Sequence, residues 1–222
     1  MPPKRKMYAV ITGDIVDSSR FTGEERRQLL VYLKNALAVP AQVLGNEVMA
    51  FPFDIHRGDG FQSVLHQPAE ALKAAIIVRA ALRGSIKTTL SNTIDARIAI
   101  GIGSIALIPD KTGGEGDGEA YRNSGLQLDL MMQNNRLLFV KTPNEDINKE
   151  LNVACALLDT IVTRWSAEQA LAIIEFLKGK TQQEMAEVFE ISQPAIGKRL
   201  LAANLYALEL ALNRFNELMQ RI

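Results

Sequence analysis

The chain has 222 residues, a formal net charge of zero at pH 7 and 47% hydrophobic residues, so it can bury a sizeable core. A neutral chain carries no global bias toward nucleic acid or an anionic membrane, so any DNA contact must come from a local patch. Its one cysteine, Cys155, excludes an intrachain disulfide framework and a cysteine zinc site. We find no signal peptide and no stretch long enough to span a membrane, so a cytoplasmic protein is expected.

The first two thirds of the chain alternate strand and helix patterns. Apolar runs rich in strand formers predict strands at 7–15, 47–53, 61–65, 94–105 and 137–140. Helical spacing predicts helices at 22–39, 68–82 and 119–133, and a Gly-rich acidic loop is expected at 109–118. The second and third strands flank the turn at 57–60 and should form a hairpin. The order strand-helix-strand-strand-helix-strand predicts a ferredoxin-like α+β sandwich.

After Pro143 only helical patterns remain. They predict helices at 147–165, 167–177 and 181–189, and a last helix from 193 to the end. The change of pattern predicts an α+β domain at 1–142 and an all-helical domain at 143–222.

Two aspartates stand at points that the predicted sheet would bring together. Asp14 lies where the first strand ends, and Asp59 lies in the hairpin turn. In a ferredoxin-like sheet the first strand and the hairpin are neighbours at the centre, so these carboxylates should meet at one edge. Paired carboxylates there suit Mg²⁺ or Mn²⁺ holding a triphosphate. The alternative is that Asp and Gly are ordinary turn residues.

The segment after Asp14 is a candidate for nucleotide binding. Asp17, Ser18 and Ser19 precede a predicted helix, where hydroxyls and backbone N–H groups could meet phosphates. The alternative is an ordinary approach to a helix. His56 and His66 flank the hairpin and are expected to be solvated or hydrogen-bonded, without sharing a metal.

Four sequence blocks resemble the SatD family of bacterial proteins. The blocks are residues 13–16, 57–62, 97–103 and 116–121, and the resemblance covers residues 7–140. This pattern is in turn similar to the class III nucleotidyl cyclases and, more distantly, to the diguanylate cyclases. In the cyclases, an Asp after the first strand and an Asp in the hairpin turn bind two metal ions. The resemblance therefore implies metal ligands at Asp14 and Asp59, with a contribution from the backbone carbonyl of Ile15.

The residues that correspond to the catalytic half of a cyclase site depart from the cyclase pattern. Class III cyclases carry an Asn and an Arg four residues apart, on a helix after a Gly-rich loop. Here the residue four positions after Asn123 is Gln127, and Arg122 is the available substitute. Arg122 and Asn123 are therefore the catalytic candidates. The resemblance favours nucleotide or metal binding over cyclase turnover.

Residues 181–203 have the pattern of a helix-turn-helix. Thr181 and Glu184 have the spacing of a capping box, and the next helix would start after a turn at 190–192. The arrangement resembles the sigma-factor region 4 type, whose second helix enters the major groove of DNA. The candidates for DNA contact are Gln193, Gly197, Lys198 and Arg199.

The charge of this region leaves a second interpretation open. Residues 181–222 hold four Lys or Arg and five Asp or Glu, which is a thin footprint for a DNA-binding unit. The alternative is a helical bundle that packs on the first domain or on a partner.

The predicted last helix carries an apolar seam at alternating spacings of four and three. Its members are Leu201, Leu205, Leu208, Leu212, Phe215, Met219 and Ile222. Such a heptad seam predicts a homodimer through helices. A helix that folds back on its own domain would show the same stripe.

Two functions follow from these patterns. The first is a ligand-responsive, DNA-binding transcriptional regulator whose N-terminal domain binds a nucleotide and a divalent metal. The alternative is a metal-dependent nucleotidyl cyclase or related nucleotide enzyme. The helix-turn-helix favours the first, and the pair Asp14 and Asp59 permits either.

Overall fold

The computed structural model describes residues 6–85, 94–107 and 116–222. The strands are β1 (Tyr8–Ile15), β2 (Met49–Arg57), β3 (Gly60–Leu65), β4 (Ala96–Gly103), β5 (Ile105–Leu107), β6 (Asp117–Gly118) and β7 (Leu138–Lys141). The helices are α1 (Gly23–Leu44), α2 (Ala71–Gly84), α3 (Glu119–Asn134), α4 (Glu145–Val162), α5 (Ala167–Leu177), α6 (Gln182–Phe189), α7 (Gln193–Ala202) and α8 (Leu205–Met219). Most of the loop predicted at 109–118 lies outside the described residues.

The main sheet has five strands in the order β2-β3-β1-β4-β7. Neighbouring strands are antiparallel except β4 and β7, which are parallel. The predicted α+β class and the β2–β3 hairpin are confirmed. The single strand predicted at 94–105 is interrupted at Ser104, after which β5 leaves the main sheet and pairs with β6.

Alternation along β1 divides its side chains between two differently covered faces. Ala9, Ile11 and Ile15 are buried and belong to a core that also contains side chains of α1 and α2. The opposite face carries Thr12 and Asp14 and is covered by α3. The first face therefore builds the core, and the second has room for polar groups.

Of the helices after residue 143, α5 packs most closely on α2, α4 and α8 also contact it, and α6 and α7 pack on α5. Every residue of α2 except Lys73 is buried, because this helix lies between the sheet and the later helices. One hydrophobic core contains residues from the sheet and residues such as Leu158, Trp165 and Phe215. The division into domains at 142/143 therefore stays a prediction, since side chains from both sides of it share this core.

The only cysteine belongs to this core. Cys155 is 1% exposed, and burial raises the pKa of its thiol to about 12. A thiol with this pKa is an inert packing group at neutral pH.

The prediction of one continuous helix from residue 193 onward is wrong. Between α7 and α8, Asn204 adopts a left-handed conformation with φ of 57°, which asparagine tolerates better than most residues. The indole of Trp165 donates to the carbonyl of Ala203 at 2.8 Å. The chain therefore turns at this point, and α8 takes a new direction.

Because of this turn, the heptad residues on α8 pack into the core of the same chain. Leu208 and Phe215 are fully buried, whereas Leu201, on α7, is 79% exposed. The remaining members, Leu205, Leu212, Met219 and Ile222, are partly buried against the same core. The fold-back alternative is the one observed, so the seam offers no free surface for the expected homodimer.

No helix in the described part of the chain combines the length and the apolar character needed to cross a bilayer.

Two leucines of the predicted seam should respond differently to truncation. Leu208→Ala should lower the free energy of unfolding by about 2–5 kcal/mol, because it leaves a cavity in the core. Leu201→Ala should change it by less than about 0.5 kcal/mol, because this side chain is exposed. Urea denaturation followed by circular dichroism measures both values. Equal losses in the two variants would contradict the burial of the seam within one chain.

Candidate functional site

Asp14 lies at the end of β1, on the sheet face that α3 covers. It stands opposite Arg97 on β4, and the Arg97 Nε donates to Asp14 Oδ1 at 2.9 Å. The two side chains are 19% and 17% exposed, respectively, so the pair is partly desolvated.

Asp59 lies in the turn of the β2–β3 hairpin and reaches across to the end of β1. Its Oδ2 accepts a hydrogen bond from the backbone N–H of Ile15 at 3.1 Å. The turn residue before it, Gly58, has a φ of 62°, a conformation that glycine adopts at little cost. The contact fixes the Asp59 carboxylate beside the residue that follows Asp14.

Burial and charge disfavour the ionised form of Asp14. Burial raises the pKa of its carboxyl, the hydrogen bond and charge of Arg97 lower it, and the negative charge of Asp59 raises it further. The net pKa lies above the ordinary value for Asp. A divalent cation beside both carboxylates would relieve this penalty.

Both aspartates line one open cavity of about 970 Å³. Its polar wall includes Arg97, His56 and Gln62, and its wall on α3 includes Leu128, Asp129 and Met132. The volume falls within the range of small-molecule sites.

The segment after β1 also lines this cavity, with a different geometry from the one expected. Asp17 adopts a left-handed conformation with φ of 53°, and its carboxylate pairs with Arg20 at 2.7 Å near the surface. Residues Ser18–Arg20 form one 3-10 turn. Asp17, Ser18 and Ser19 all line the cavity, as a nucleotide-binding segment requires.

Arg26, near the start of α1, is a site residue that is absent from the sequence-predicted candidates. Its guanidinium donates to Asp59 Oδ1 and to the backbone carbonyl of Ser18, both at 3.0 Å. The side chain is 31% exposed. Arg26 therefore ties the segment after β1 to the hairpin turn. Helical periodicity alone does not show this role, because the partners come from two distant loops.

The two catalytic candidates lie outside the lining of this cavity. Arg122 pairs with Asp117 at 2.9 Å, and both side chains are well exposed. The amide of Asn123 donates to the carbonyl of Ile102 at 2.9 Å and so anchors α3 to β4. The part of α3 that faces the cavity starts about one turn later, at Leu128.

The oxygen ligands fit a magnesium-type cation. In the described ranges no group of three or more His, Cys, Asp or Glu side chains could hold a metal ion, so a dedicated protein cage is absent there. Mg²⁺ is commonly bound through one or two carboxylates together with substrate phosphates. Asp14, Asp59 and Ile15 all line the same cavity, so two carboxylates and one backbone carbonyl are the oxygen donors available there.

The predicted DNA-contacting residues all lie on α7, the second helix of the pair α6 and α7. The capping box is present, because Thr181 N donates to Glu184 Oε2 at 2.7 Å and Glu184 N donates to Thr181 Oγ1 at 3.3 Å. Gln193 and Lys198 are exposed. Gly197 and Arg199 are partly buried, and the Arg199 guanidinium lies 5.6 Å from the centre of the Phe189 ring.

Comparison with solved structures finds similarity to cyclase domains. A bacterial light-regulated adenylyl cyclase is 10% identical with a TM-score of 0.43, over 63% of this chain and 44% of that chain. The adenylate/guanylate cyclase/hydrolase from Silicibacter pomeroyi is 22% identical with a TM-score of 0.44, over 58% and 71%. The active GGEEF domain of a diguanylate cyclase from Vibrio cholerae is 16% identical with a TM-score of 0.43, over 63% and 84%.

At the level of sequence, no curated protein matches significantly. The profile of the SatD family matches residues 8–214. The match continues through most of the helical region, well beyond the residues 7–140 that carry the resemblance in the sequence. The chain belongs to the SatD family.

Proposed function

We propose that the chain is a metal-dependent, nucleotide-binding enzyme of the nucleotidyl cyclase type. In this proposal Asp14 and Asp59 hold Mg²⁺ or Mn²⁺, and the cation binds the triphosphate of a nucleotide in the cavity. The observation that carries the proposal is the hydrogen bond from Ile15 N–H to the Asp59 carboxylate. It draws the hairpin aspartate to the residue beside Asp14, in the lining of a cavity of nucleotide size.

The surrounding groups suit a polyanionic ligand. A bound cation would neutralise phosphate charge and polarise the phosphate oxygens. Arg97 lines the cavity beside Asp14, so its guanidinium is within reach of a phosphate that shares the cation. Ser18 and Ser19 also line this cavity, and their hydroxyls are donors that a phosphate could use. Arg26 holds this segment against Asp59 and therefore positions both.

Product formation tests the enzyme proposal. Incubation with each nucleoside triphosphate and Mn²⁺, followed by mass spectrometry, should reveal a cyclic or linear nucleotide product. Asp14→Asn and Asp59→Asn should each reduce its rate by at least about tenfold, because each removes a charged ligand. Asp146→Asn alters an exposed pair on α4 and is the matched control. A product whose rate is the same in all four proteins would contradict the site.

Metal binding should depend on pH through Asp14. Because the pKa of Asp14 is raised, protons compete with Mn²⁺ at a higher pH than they would at an ordinary aspartate. Calorimetric titrations should therefore show Mn²⁺ affinity falling as the pH is lowered from neutral through this raised pKa. A site built from ordinary carboxylates would keep its Mn²⁺ affinity until a more strongly acidic pH. Such a result would contradict the role given to Asp14.

The same shift predicts how the metal-free protein responds to pH. A carboxyl with a raised pKa in the folded state stabilises the fold below its unfolded pKa, and this contribution is lost as the pH rises through the folded pKa. At neutral pH, Asp14→Asn should therefore leave thermal stability unchanged or slightly higher, while Mn²⁺ binding is lost. A large drop in the unfolding temperature would show that the Arg97 pair outweighs the burial of Asp14.

The α6–α7 pair supports a second proposal, a DNA-binding transcriptional regulator that senses the nucleotide. Its support is the capped helix, the short turn and the exposed Gln193 and Lys198 at the outer side of α7. The guanidinium of Arg199 stacks over the ring of Phe189 and is therefore less available for DNA. A homodimer would need a surface other than the buried seam.

Selection from a random DNA duplex pool, with and without nucleotide and Mn²⁺, tests this second proposal. An enriched sequence should be bound more weakly by Gln193→Ala, by about 1–3 kcal/mol if Gln193 contacts a base edge. Lys198→Ala should weaken binding to all sequences similarly, as loss of a phosphate contact does. If no sequence is enriched, the α6–α7 pair is a packing unit and the DNA proposal fails.

A further inference from the structure

We propose that Gln62 reads the nucleoside half of the nucleotide, through a side-chain carbonyl that accepts an N–H or O–H from the base or the ribose. This inference rests on the proposed function and deepens it. Gln62 lies on β3 opposite Thr12 and lines the same cavity as Asp14 and Asp59.

A chain of hydrogen bonds determines the positions of Nε2 and Oε1 in the Gln62 amide. It runs from Gln62 Nε2 to Thr12 Oγ1 at 3.0 Å, from Thr12 Oγ1 to Ser124 Oγ at 3.0 Å, and from Ser124 Oγ to the carbonyl of Tyr121 at 3.1 Å. A backbone carbonyl can only accept, and each hydroxyl has one proton to donate. Ser124 must therefore donate to Tyr121, so Thr12 donates to Ser124.

The direction of this chain leaves Thr12 as an acceptor toward Gln62. Only the NH₂ end of the Gln62 amide can donate, so Nε2 faces Thr12 and Oε1 occupies the other position. The nitrogen and oxygen of a glutamine amide are hard to tell apart by shape. Here the hydrogen-bond network assigns them. Oε1 is buried and has no hydrogen-bond partner among residues 6–85, 94–107 and 116–222.

A buried acceptor without a partner is unfavourable, and a ligand that brings a donor removes the penalty. Ionised phosphates present acceptor oxygens only, so the triphosphate cannot satisfy Oε1. Along β1, Thr12 is two residues before Asp14, a separation of about 6–7 Å. A nucleotide whose phosphates are held at the aspartates would therefore meet Gln62 with its sugar or base.

The cavity wall near α3 is compatible with a nucleoside. Leu128 and Met132 supply apolar surface, which suits the flat face of a base or the ring of a sugar. The base and the ribose share the chemistry that Oε1 requires, a hydrogen-bond donor, and suitable analogues separate them.

Calorimetric titration in the presence of Mn²⁺ tests the assignment with three probes. These are ATP, 2′,3′-dideoxyadenosine triphosphate, which lacks the ribose donors, and purine riboside triphosphate, which lacks the amino group of the base. Gln62→Met keeps the length of the side chain and removes the acceptor. It should weaken ATP binding about tenfold. The analogue that lacks the donor read by Gln62 should bind the unmodified protein about tenfold more weakly than ATP and be unaffected by Gln62→Met.

Two further variants distinguish nucleoside recognition by Gln62 from a non-specific disturbance of the binding site. Thr12→Val leaves Gln62 in place but frees its amide to rotate, so discrimination between ATP and the critical analogue should diminish. Gln42→Met, at an exposed position on α1 outside the cavity lining, should match the unmodified protein in all three titrations. Melting curves confirm that each variant is folded.

The outcomes distinguish this inference from the proposed function. If ATP binds and Gln62→Met leaves all three affinities unchanged, water satisfies Oε1 and the assignment to Gln62 is overturned while the nucleotide site stands. If Gln62→Met weakens all three probes equally, the residue supports the site without reading the nucleoside, and the assignment is again overturned. If neither these probes nor any other nucleoside triphosphate binds the unmodified protein, both proposals fall. If a different triphosphate binds in place of ATP, the same comparison is made with that nucleotide and its analogues lacking the ribose or base donors.

Discussion

A fully buried guanidinium joins the sheet to the helical region. Arg79 on α2 is 0% exposed and binds Asp95, just before β4, at 2.9 and 3.0 Å, and Asp159 on α4 at 2.5 Å. Asp159 also accepts the N–H groups of Leu137 and Leu138 at the start of β7. Arg83 also binds Asp95, at 3.1 Å. Removing either carboxylate would therefore leave a positive charge without its counter-ion in the core, at a cost of about 3–5 kcal/mol. This one network therefore fixes the positions of β4, β7 and α4 relative to each other.

This network has consequences for the candidate site. Asp95 lies two residues before Arg97, which pairs with Asp14, and the Asp95 carbonyl accepts the N–H of Val16 at 3.0 Å. Both the strand that carries Arg97 and the segment after β1 are thus held at a point that the later helices help to build. The family match across residues 8–214 agrees with a fold in which the helical region supports the sheet.

Sequence patterns predicted those elements whose structure depends mainly on residues that are close in the chain. Apolar runs predict β1 and β3, and the Gly-Asp-Gly turn predicts the hairpin. Tertiary context decided the rest. A stripe of leucines looks the same whether it meets another chain or its own core, and the left-handed Asn204 redirects α8 inward. Arg26 resembles a solvated helix residue until Asp59 and Ser18 approach from separate loops. The acceptor role of Gln62 depends on hydrogen bonds that involve β1 and α3.

We propose that Asp14 and Asp59 hold a divalent cation together with a triphosphate. The most direct test of this proposal is a crystal grown with Mn²⁺ and a non-hydrolysable nucleoside triphosphate, measured for anomalous scattering from manganese. We expect an anomalous peak between the two carboxylates, with phosphate density beside it and nucleoside density extending along the sheet toward Gln62. A nucleotide bound elsewhere, or a manganese peak distant from both aspartates, would contradict the proposal.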